Sequence, residues 1–579
     1  VTGVQTCALP ICPGLWLTLH SGFMIAASPI ASMKGVWPLA IVSLLPVAFA
    51  ALHLARAPRS AVAVAACGFL PWWFTTHFWL INVSLAGFLP LVFLLSFFDA
   101  AAVLLIARLA RRNKPLALLL FPFVWTGMNH IRGEYAFDGY AWGWASHPLI
   151  DAPFLAFPAA IVGIYGVTFL LASLSAALIH ARLSSRRSAW LAPSCVLLLW
   201  SLLSWAGFSQ ASTAANAPPV RFAIIQTNVP QDNKLDWTVE QETRDFLRFK
   251  DLTLSATAAT PAPDVVVWPE TMAPGMTLAP QALRELSENQ IFVTHADGTR
   301  QWATYFADSL LDLSESIKVP MIVGEIFAED LAIDSTPEGG VRIRQKARYN
   351  AAFVLRNGKI ERQWYFKHHL TPFGEVMPYI SAWPWLERQL LSLGARGMSF
   401  DLDSGSDLTV LTVPAADGRD VRCVTPICFE STDSPLLRKL VFSGAARRAD
   451  IIVNLTNDGW FSFSNLTRRQ HLQAARWRSL ETLTPTIRAA NTGISAVINA
   501  DGSILASGVN DAPAAAEVDG VLSASVQLPV AVPTFARLGN ALAGLCSGAT
   551  LLLMLAIGLG RVVGARRRQE VIPRTPPGR

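Results

Sequence analysis

The sequence predicts an α-helical polytopic membrane domain followed by an α/β domain of layered strands and helices, closed by one further apolar helix. Three observations predict it. The 579 residues are 52% hydrophobic and 15% charged, with a mean hydropathy of +0.37, where an ordinary soluble domain carries roughly a quarter charged residues. Only fifteen of the 88 Asp, Glu, Lys and Arg residues lie between Pro13 and Phe208. From Val220 onward the long apolar runs give way to short β-rich runs separated by helical stretches. The net charge of +6 does not argue for a nucleic-acid partner, because the surplus Arg sits in short clusters beside apolar runs, where membrane topology accounts for it.

Val1–Ile11 (VTGVQTCALPI) reads like a translated sequencing-library adapter without an initiating Met, so residues 1–12 are set aside as an artefact, Cys7 with them and Cys12 at the junction. The membrane domain then occupies 13–210. Apolar runs of spanning character fall at Leu15–Ile30, Val36–Leu54, Ala61–Val83, Ala86–Ala107, Leu116–Met128, Phe154–Ile179 and Trp190–Phe208, with an eighth at Ala541–Gly560. Loops after the second, fourth and sixth runs and the 561–579 tail hold fifteen Lys and Arg, against Lys34 and Arg132 in the loops on the other side. That bias places both termini in the cytoplasm and, after seven crossings, residues 220–528 outside it. In a bacterium with two membranes that is the periplasmic side of the inner membrane. Asp99 inside the fourth run reads either as a pathway residue or as one at a helix end or facing a cavity. Trp72, Trp73, Phe74, Phe78, Trp79, Trp142 and Trp144 are expected at the membrane interfaces. Cys67, Cys195 and Cys546 sit in apolar runs and are expected to be small buried hydrophobes, and no disulfide or CxxC pattern is present.

After a linker at 211–219, strands are predicted at Arg221–Thr227, Asp264–Trp268, Val319–Gly324, Ala351–Leu355, Val421–Ile427, Ile451–Leu455 and Ser495–Asn499, each apolar enough to be buried on both faces. Helices are predicted at Val239–Leu254, Thr304–Ser316, Pro435–Ser443 and Thr467–Leu483, so strand and helix alternate and the class is α/β. No internal repeat is evident. The exit linker spans 529–540, around Pro529 and Pro533.

Three polar residues follow extended segments: Glu270 in DVVVWPE, Lys367 in WYFKHHLTPFGE and Cys428 in VTPICFE. Strand ends are where α/β folds place chemistry. Singly they read as a helix-start carboxylate, a surface cation and a buried thiol. Together they make the parts of covalent acyl transfer. A free thiol with a pKa of about 8.5 is a few per cent thiolate at neutral pH, so a nucleophilic Cys gains from a base and a nearby cation. Glu270 is the candidate general base. Lys367, with the backbone N–H of Phe429, is the candidate holder of the negative oxygen that forms when the thiolate attacks. His368 and His369 are adjacent and point to different sides, which argues against a metal pair, and His471 reads as a structural hydrogen-bonder.

WPE, YFKHHLTPFGE and ICFE, in this order, resemble the Glu–Lys–Cys triad of the nitrilase superfamily. With seven leading spans and a closing one, the chain after Leu15 is similar to the apolipoprotein N-acyltransferase family, supported by Asn457-Asp458-Gly459-Trp460-Phe461, Gln470-His471-Leu472-Gln473 and Arg488-Ala489-Ala490-Asn491-Thr492-Gly493. The resemblance implies an α-β-β-α layered sandwich. It implies a ping-pong reaction in which Cys428 takes an acyl chain from a phospholipid as a thioester and passes it to the α-amine of a lipoprotein's diacylglyceryl-cysteine. It also implies that Glu375 and Glu430 are auxiliary carboxylates orienting Lys367 or the incoming amine, and makes Trp237 a candidate lid over the acyl chain, a plain core or surface aromatic being the alternative. No cofactor or metal is required, and a monomer is expected. Two departures stand out: Phe429 where the family often has Tyr, and a long Ile291–Ile317 stretch that reads as an inserted helix and loop. Trp383 and Trp385, in EVMPYISAWPWLERQLLSLGARG, suit a substrate-binding lip dipping into the membrane surface, with packing on the domain core as the alternative. A membrane-tethered carbon–nitrogen hydrolase using the same three residues, and a ligand-binding transporter or receptor, are the competing functions.

Overall fold

The computed structural model describes residues 13–30, 34–54, 61–83, 85–212, 218–230, 238–294, 298–335, 341–372, 374–376, 385, 402–461, 463–509 and 518–570. The adapter-like 1–12, Trp237, Trp383 and most of the lip lie outside these residues. Each of the eight predicted apolar runs falls on helix: Pro13–Ala27, Pro38–Val42 continuing as Leu44–Leu54, Ala61–His77, Leu85–Ala110, Lys114–Glu134, Ala159–Leu183, Leu191–Ala211 and Ala541–Glu570. Among the described residues four stretches are long and apolar enough to cross a membrane, namely Gly87–Ala110, Ala159–Leu183, Arg187–Ala211 and Ala541–Leu559. Lys114–Glu134 starts where Asn113 caps it, accepting from the Leu116 N–H at 3.0 Å with Pro115 in its first turn. It runs six residues beyond the predicted end and carries Asn129, His130 and Arg132 into the protein interior.

Two expectations for this half are corrected. Trp72, Trp73, Trp142 and Trp144 are buried among the helices and against the α/β domain rather than laid in a lipid interface; Phe74 and Phe78 remain exposed. Buried indoles need partners, and Trp73 Nε1 donates to Asp99 Oδ2 at 2.8 Å, which gives Asp99 a role inside the helix bundle. Arg132 lies between the Trp73 and Trp144 rings, 4.8 and 4.3 Å from their centroids. Cys67 and Cys195 are exposed on helix faces, and of the three apolar-run cysteines Cys546 alone is buried.

The α/β domain is a sandwich of two six-stranded sheets. In spatial order the first holds Gly520–Val526, Val220–Gln226, Val265–Val267, Met321–Glu329, Ala347–Arg356 and Lys359–Phe366. The second holds Leu411–Pro414, Asp420–Val424, Ile451–Thr456, Thr486–Ala490, Ala496–Ile498 and Ile504–Ser507. Strand senses run antiparallel, parallel, parallel, antiparallel, antiparallel across both sheets. The architecture therefore repeats where the sequence does not. Alternation decides the faces: Val220, Phe222 and Ile224 join Val421, Cys423, Val453 and Ile487 between the sheets, while Ala223 and Ile225 face helices Val239–Ala258 and Tyr305–Ile317. The result is an α-β-β-α layering.

On the outer face of the second sheet lies Asn465–Thr482, whose residues from Leu466 on, Arg469 apart, are buried although the sequence is polar. It is clamped between sheet and membrane domain, and its polar groups are met from both sides. Trp477 Nε1 donates to the His147 carbonyl at 3.0 Å, Glu481 Oε1 accepts from the Ile164 N–H at 2.7 Å, and Arg476 pairs with Asp151. Smaller differences from the sequence reading have local causes. In the Ile291–Ile317 stretch Phe292–Thr294 pairs antiparallel with Arg300–Trp302, and the following helix places Phe306, Leu310 and Leu313 in the outer core. The predicted helix to Ser443 stops at Val441, because Phe442–Ser443 pairs with Ala446–Arg447. The exit linker contains a helix, Thr534–Leu538, with Phe535 buried.

Candidate active site

Three strand ends converge on one side of the sandwich. Val265–Val267 is buried throughout, and Pro269, which has no N–H for a ladder, turns the chain out of the sheet just before Glu270. Trp268 anchors the turn by donating to Thr253 Oγ1 at 3.0 Å. The neighbouring strand passes so closely at Gly324 that a Cβ there would lie 2.7 Å from the Pro269 carbonyl oxygen and 2.8 Å from the Glu270 Cα. Glu270 Oε1 accepts from Asn350 Nδ2 at 2.7 Å and Oε2 from the Asn457 N–H at 2.8 Å.

Lys367 follows the edge strand Lys359–Phe366, its N–H donating to the Asn350 carbonyl at 2.8 Å. One residue, Asn350, thus sets both the carboxylate and the lysine. Lys367 Nζ is 2.8 Å from Glu375 Oε1, 2.6 Å from Glu375 Oε2 and 3.5 Å from Glu270 Oε1, and the side chain is 1% exposed. Glu375 is itself fixed by the Thr371 N–H at 2.8 Å. Burial opposes the charge of Lys367, but Glu375 and then Glu270 outweigh it and raise its pKa. Burial likewise disfavours the Glu375 carboxylate, and Lys367 reverses this and holds it below the usual range.

Cys428 follows the strand Asp420–Val424 and adopts a left-handed φ of +51° as it opens a one-turn 3-10 helix, Cys428–Thr432. A non-glycine residue held there marks a turn fixed by its surroundings. Burial pushes the Cys428 thiol well up, the Glu270 carboxylate adds to this, and Lys367 pulls the other way. Thiol, carboxylate and ammonium are therefore within mutual electrostatic reach.

Glu430, fully buried, accepts from the Ile427 N–H at 2.6 Å through Oε2, and through Oε1 from Tyr365 Oη at 2.8 Å and the His368 and His369 N–H groups at 2.7 and 2.9 Å. It pins the lysine segment to the cysteine turn by backbone donors. Asn457 Oδ1 accepts from Asn491 Nδ2 at 3.0 Å, and Asn491 in turn holds Thr227 and Val229 of the first sheet's loop at 2.8 and 2.7 Å.

The membrane domain forms the facing wall. The Tyr140 ring stacks on Phe429 with centroids 5.9 Å apart, and Tyr140 Oη is 2.7 Å from His77 Nε2. Beside Tyr140, a small, partly open pocket is lined by Leu91, Leu95, Phe98, Arg132, Phe137 and Pro372, the last five residues beyond Lys367. Trp385 is 67% exposed, and Trp237 and Trp383 lie outside the described residues. Among the described residues no group of three or more His, Cys, Asp and Glu is arranged to hold a metal ion. Asn350 and Tyr140 went unread in the sequence. For Asn350 a signal exists, an amide at the edge of the apolar run Ala351–Leu355; for Tyr140 there is none.

A thiol set with a carboxylate and a lysine at the strand ends of an α-β-β-α sandwich defines an acyl-transferring thiol enzyme of the carbon–nitrogen hydrolase class, and the carbon-nitrogen hydrolase family model matches residues 221–534. The model of the apolipoprotein N-acyltransferase N-terminal domain matches residues 21–178. Three relatives named apolipoprotein N-acyltransferase align over most of the chain. That of Azotobacter vinelandii is 31% identical over 85% of this chain and 86% of its own length. Those of Geobacter metallireducens and Bradyrhizobium diazoefficiens are 27% and 29% identical, over 93% and 79% of this chain and 94% and 76% of their own. The chain belongs to the apolipoprotein N-acyltransferase family, a membrane branch of the carbon–nitrogen hydrolases.

Proposed function

We propose that Cys428 carries a fatty acyl chain from a phospholipid to the α-amine of a lipoprotein's N-terminal diacylglyceryl-cysteine. The observation that carries this reading is the buried Lys367 between Glu270 and Glu375, beside the Cys428 thiol on a turn whose Phe429 stacks on Tyr140 of the membrane domain. The thiol rests protonated, since its pKa is raised, so deprotonation has to accompany attack. Glu270 takes the Sγ proton as Sγ adds to the ester carbonyl, and the developing oxyanion lies against Lys367 and the Phe429 N–H. Collapse breaks the ester C–O bond. The lysophospholipid alkoxide leaves with the proton from Glu270, and a Cys428 thioester remains. The incoming amine, neutral when it attacks, adds to the thioester and gives a proton to Glu270; collapse forms the amide and returns the thiolate, which Glu270 reprotonates. Glu375 keeps Lys367 in place, and Glu430 fixes the backbone of both the lysine and cysteine segments rather than touching the amine.

The apolar lining beside Tyr140 and Pro372 supports acyl-chain approach from the membrane domain, the pocket having to open to admit a chain, and Trp385 is exposed. The eight helices, taken as spans, and the Lys and Arg bias support a bacterial inner-membrane enzyme with both termini cytoplasmic and the α/β domain periplasmic. Intact-mass spectrometry of the detergent-purified chain tests the reaction. After incubation with phospholipid the wild type gains one acyl mass, Cys428→Ala gains none, and a diacylated lipopeptide removes the adduct. Discharge to water alone would make the chain a hydrolase, and absence of an adduct would remove the thioester step.

A further inference from the structure

Next to Cys428 lies a buried polar cluster that the acyl-transfer steps do not use. His471 Nε2 is 3.2 Å from the carbonyl oxygen of Cys428 and 3.0 Å from Ser431 Oγ. Its Nδ1 is 3.0 Å from Asp458 Oδ1 and 3.1 Å from Arg488 Nη2. Arg488 donates to Asp458 Oδ2 at 2.7 Å and to Asn454 Oδ1 at 2.6 Å. His471, Asp458 and Arg488 are 1%, 0% and 0% exposed.

The charges close within the cluster: Arg488, with His471, draws the Asp458 carboxyl far below its usual range despite burial, while burial and then Arg488 lower the His471 pKa, so the ring is neutral. Donation to the Cys428 carbonyl needs the proton on Nε2. Nδ1 must then accept, from Arg488 Nη2 at 3.1 Å, although Asp458 Oδ1, 3.0 Å from the same nitrogen, favours the opposite tautomer. Asp458 reaches Cys428 by a second route, since Thr456 Oγ1 donates to Asp458 Oδ1 at 3.1 Å and the same hydroxyl bonds the Cys428 thiol. Gly493 leaves the room for this, because a Cβ there would lie 2.1 Å from Asp458 Oδ2. From the membrane domain, Trp142 lies over the imidazole with centroids 5.6 Å apart and donates to Gln470 Oε1, one residue before His471, at 3.1 Å.

We propose that His471 is a positioning residue for acyl transfer, which holds the Cys428 carbonyl and with it the left-handed turn that presents Sγ to Glu270 and Lys367, and that Trp142 of the membrane domain sets its ring. Nε2, which the Ser431 hydroxyl alone could satisfy, is also directed at the carbonyl of the one residue in this turn with positive φ. Nor is His471 a second base, since its nitrogen faces the carbonyl and the Ser431 hydroxyl. The inference rests on the acyl-transfer reading of the same site.

The test uses the full chain in detergent with His471→Leu, which has no donor, and His471→Gln, which offers an amide N–H at similar reach. Two rates are measured: alkylation of Cys428 by iodoacetamide, located by peptide mass, and single-turnover acyl-enzyme formation from phosphatidylethanolamine in mixed micelles. The Leu variant is expected to lose about 10- to 100-fold in both rates, the worth of one buried hydrogen bond, with KM for the phospholipid within about 3-fold of wild type. The Gln variant recovers most of the loss. Wild-type rates in a folded Leu variant, or a Gln variant as slow as Leu at equal Tm, would overturn the inference. If the Leu variant does not fold, His471→Asn, too short to reach the carbonyl, replaces it with the same expectation. If wild type forms no acyl-enzyme, the acyl-transfer reading fails, while the alkylation contrast still decides whether His471 holds the turn.

Discussion

The two sheets share one order of strand senses and carry different chemistry at their ends. The first supplies charge: Glu270, Lys367 and Asn350, which links them, with Glu375 just beyond its edge strand. The second supplies geometry: the left-handed Cys428, the Glu430 clamp and the Asn457 N–H. The ionised groups of the first sheet can balance one another without the second, but Glu270 reaches its second donor only through Asn457, and Cys428 meets its base only when the sheets dock. Two architectural copies have thus divided the labour, and the active site is a property of their interface.

This division predicts which substitutions act through chemistry and which through placement. The largest effect is expected from Lys367→Met, which removes the oxyanion donor, for about 10²- to 10³-fold, and leaves two buried carboxylates facing each other, at about 3–5 kcal/mol. Acyl-enzyme formation should fall by at least that factor and Tm should fall with it. Double substitution Lys367→Met with Glu375→Gln should restore Tm but not rate; if it restores neither, charge balance is not what the first sheet contributes. Next comes Glu430→Gln in the second sheet. Its amide turns an N–H toward donors that now point at a carboxylate, which costs about 1–3 kcal/mol. Thermal unfolding should register this, and iodoacetamide should alkylate Cys428 more slowly because the turn loosens. Unchanged Tm with lost activity would place Glu430 among the reacting groups and break the comparison. A smaller loss is expected at Gly324→Ala, where the added methyl displaces Glu270 by a few tenths of an ångström. Acyl-enzyme formation should slow by about 10-fold, with binding of phospholipid unaffected.

Much of this was legible in the sequence, for reasons that differ by element. Val265–Val267 and Ile451–Thr456 are apolar on both faces and could be read from composition, and each leads to a site residue. The strand Gly520–Val526 was not read. It is half-exposed and mixed in character, and it owes its place to pairing with Val220–Gln226 about three hundred residues earlier. Asn465–Thr482 was read as a helix, yet nothing in its polar sequence shows that it is buried on both sides, because its partners His147, Asp151 and Ile164 belong to the membrane domain. Glu270, Lys367 and Cys428 were named from strand ends and flanking words. The tryptophans were misplaced because amphipathic rings suit a lipid interface and a polar protein interior equally, and only Asp99, Arg132 and Gln470 choose between them. Glu430 was named as an auxiliary carboxylate, but that it acts on backbone N–H groups is invisible without the fold.

The junction of sheets and membrane domain offers the mildest test. His369, on the lysine segment, has Nδ1 2.8 Å from Asp433 on the cysteine segment and Nε2 3.8 Å from Asp138 on the membrane domain, and its ring meets Phe429 edge-on. Burial lowers its pKa, but the hydrogen bond and charge of Asp433, with Asp138, outweigh this and raise it above the ordinary value. A raised pKa in the folded state means that the bridge stabilises fully below the unfolded pKa of about 6.5 and fades as pH climbs through the folded value. His369→Ala should therefore cost more at pH 6 than at pH 8.5, the difference being about 1 kcal/mol or less for so partly exposed a pair. Tm of wild type and variant at the two pH values measures it. A gap that is constant with pH would mean that His369 contributes its ring against Phe429 and not its charge, and that its own contact with the membrane domain is one of packing alone.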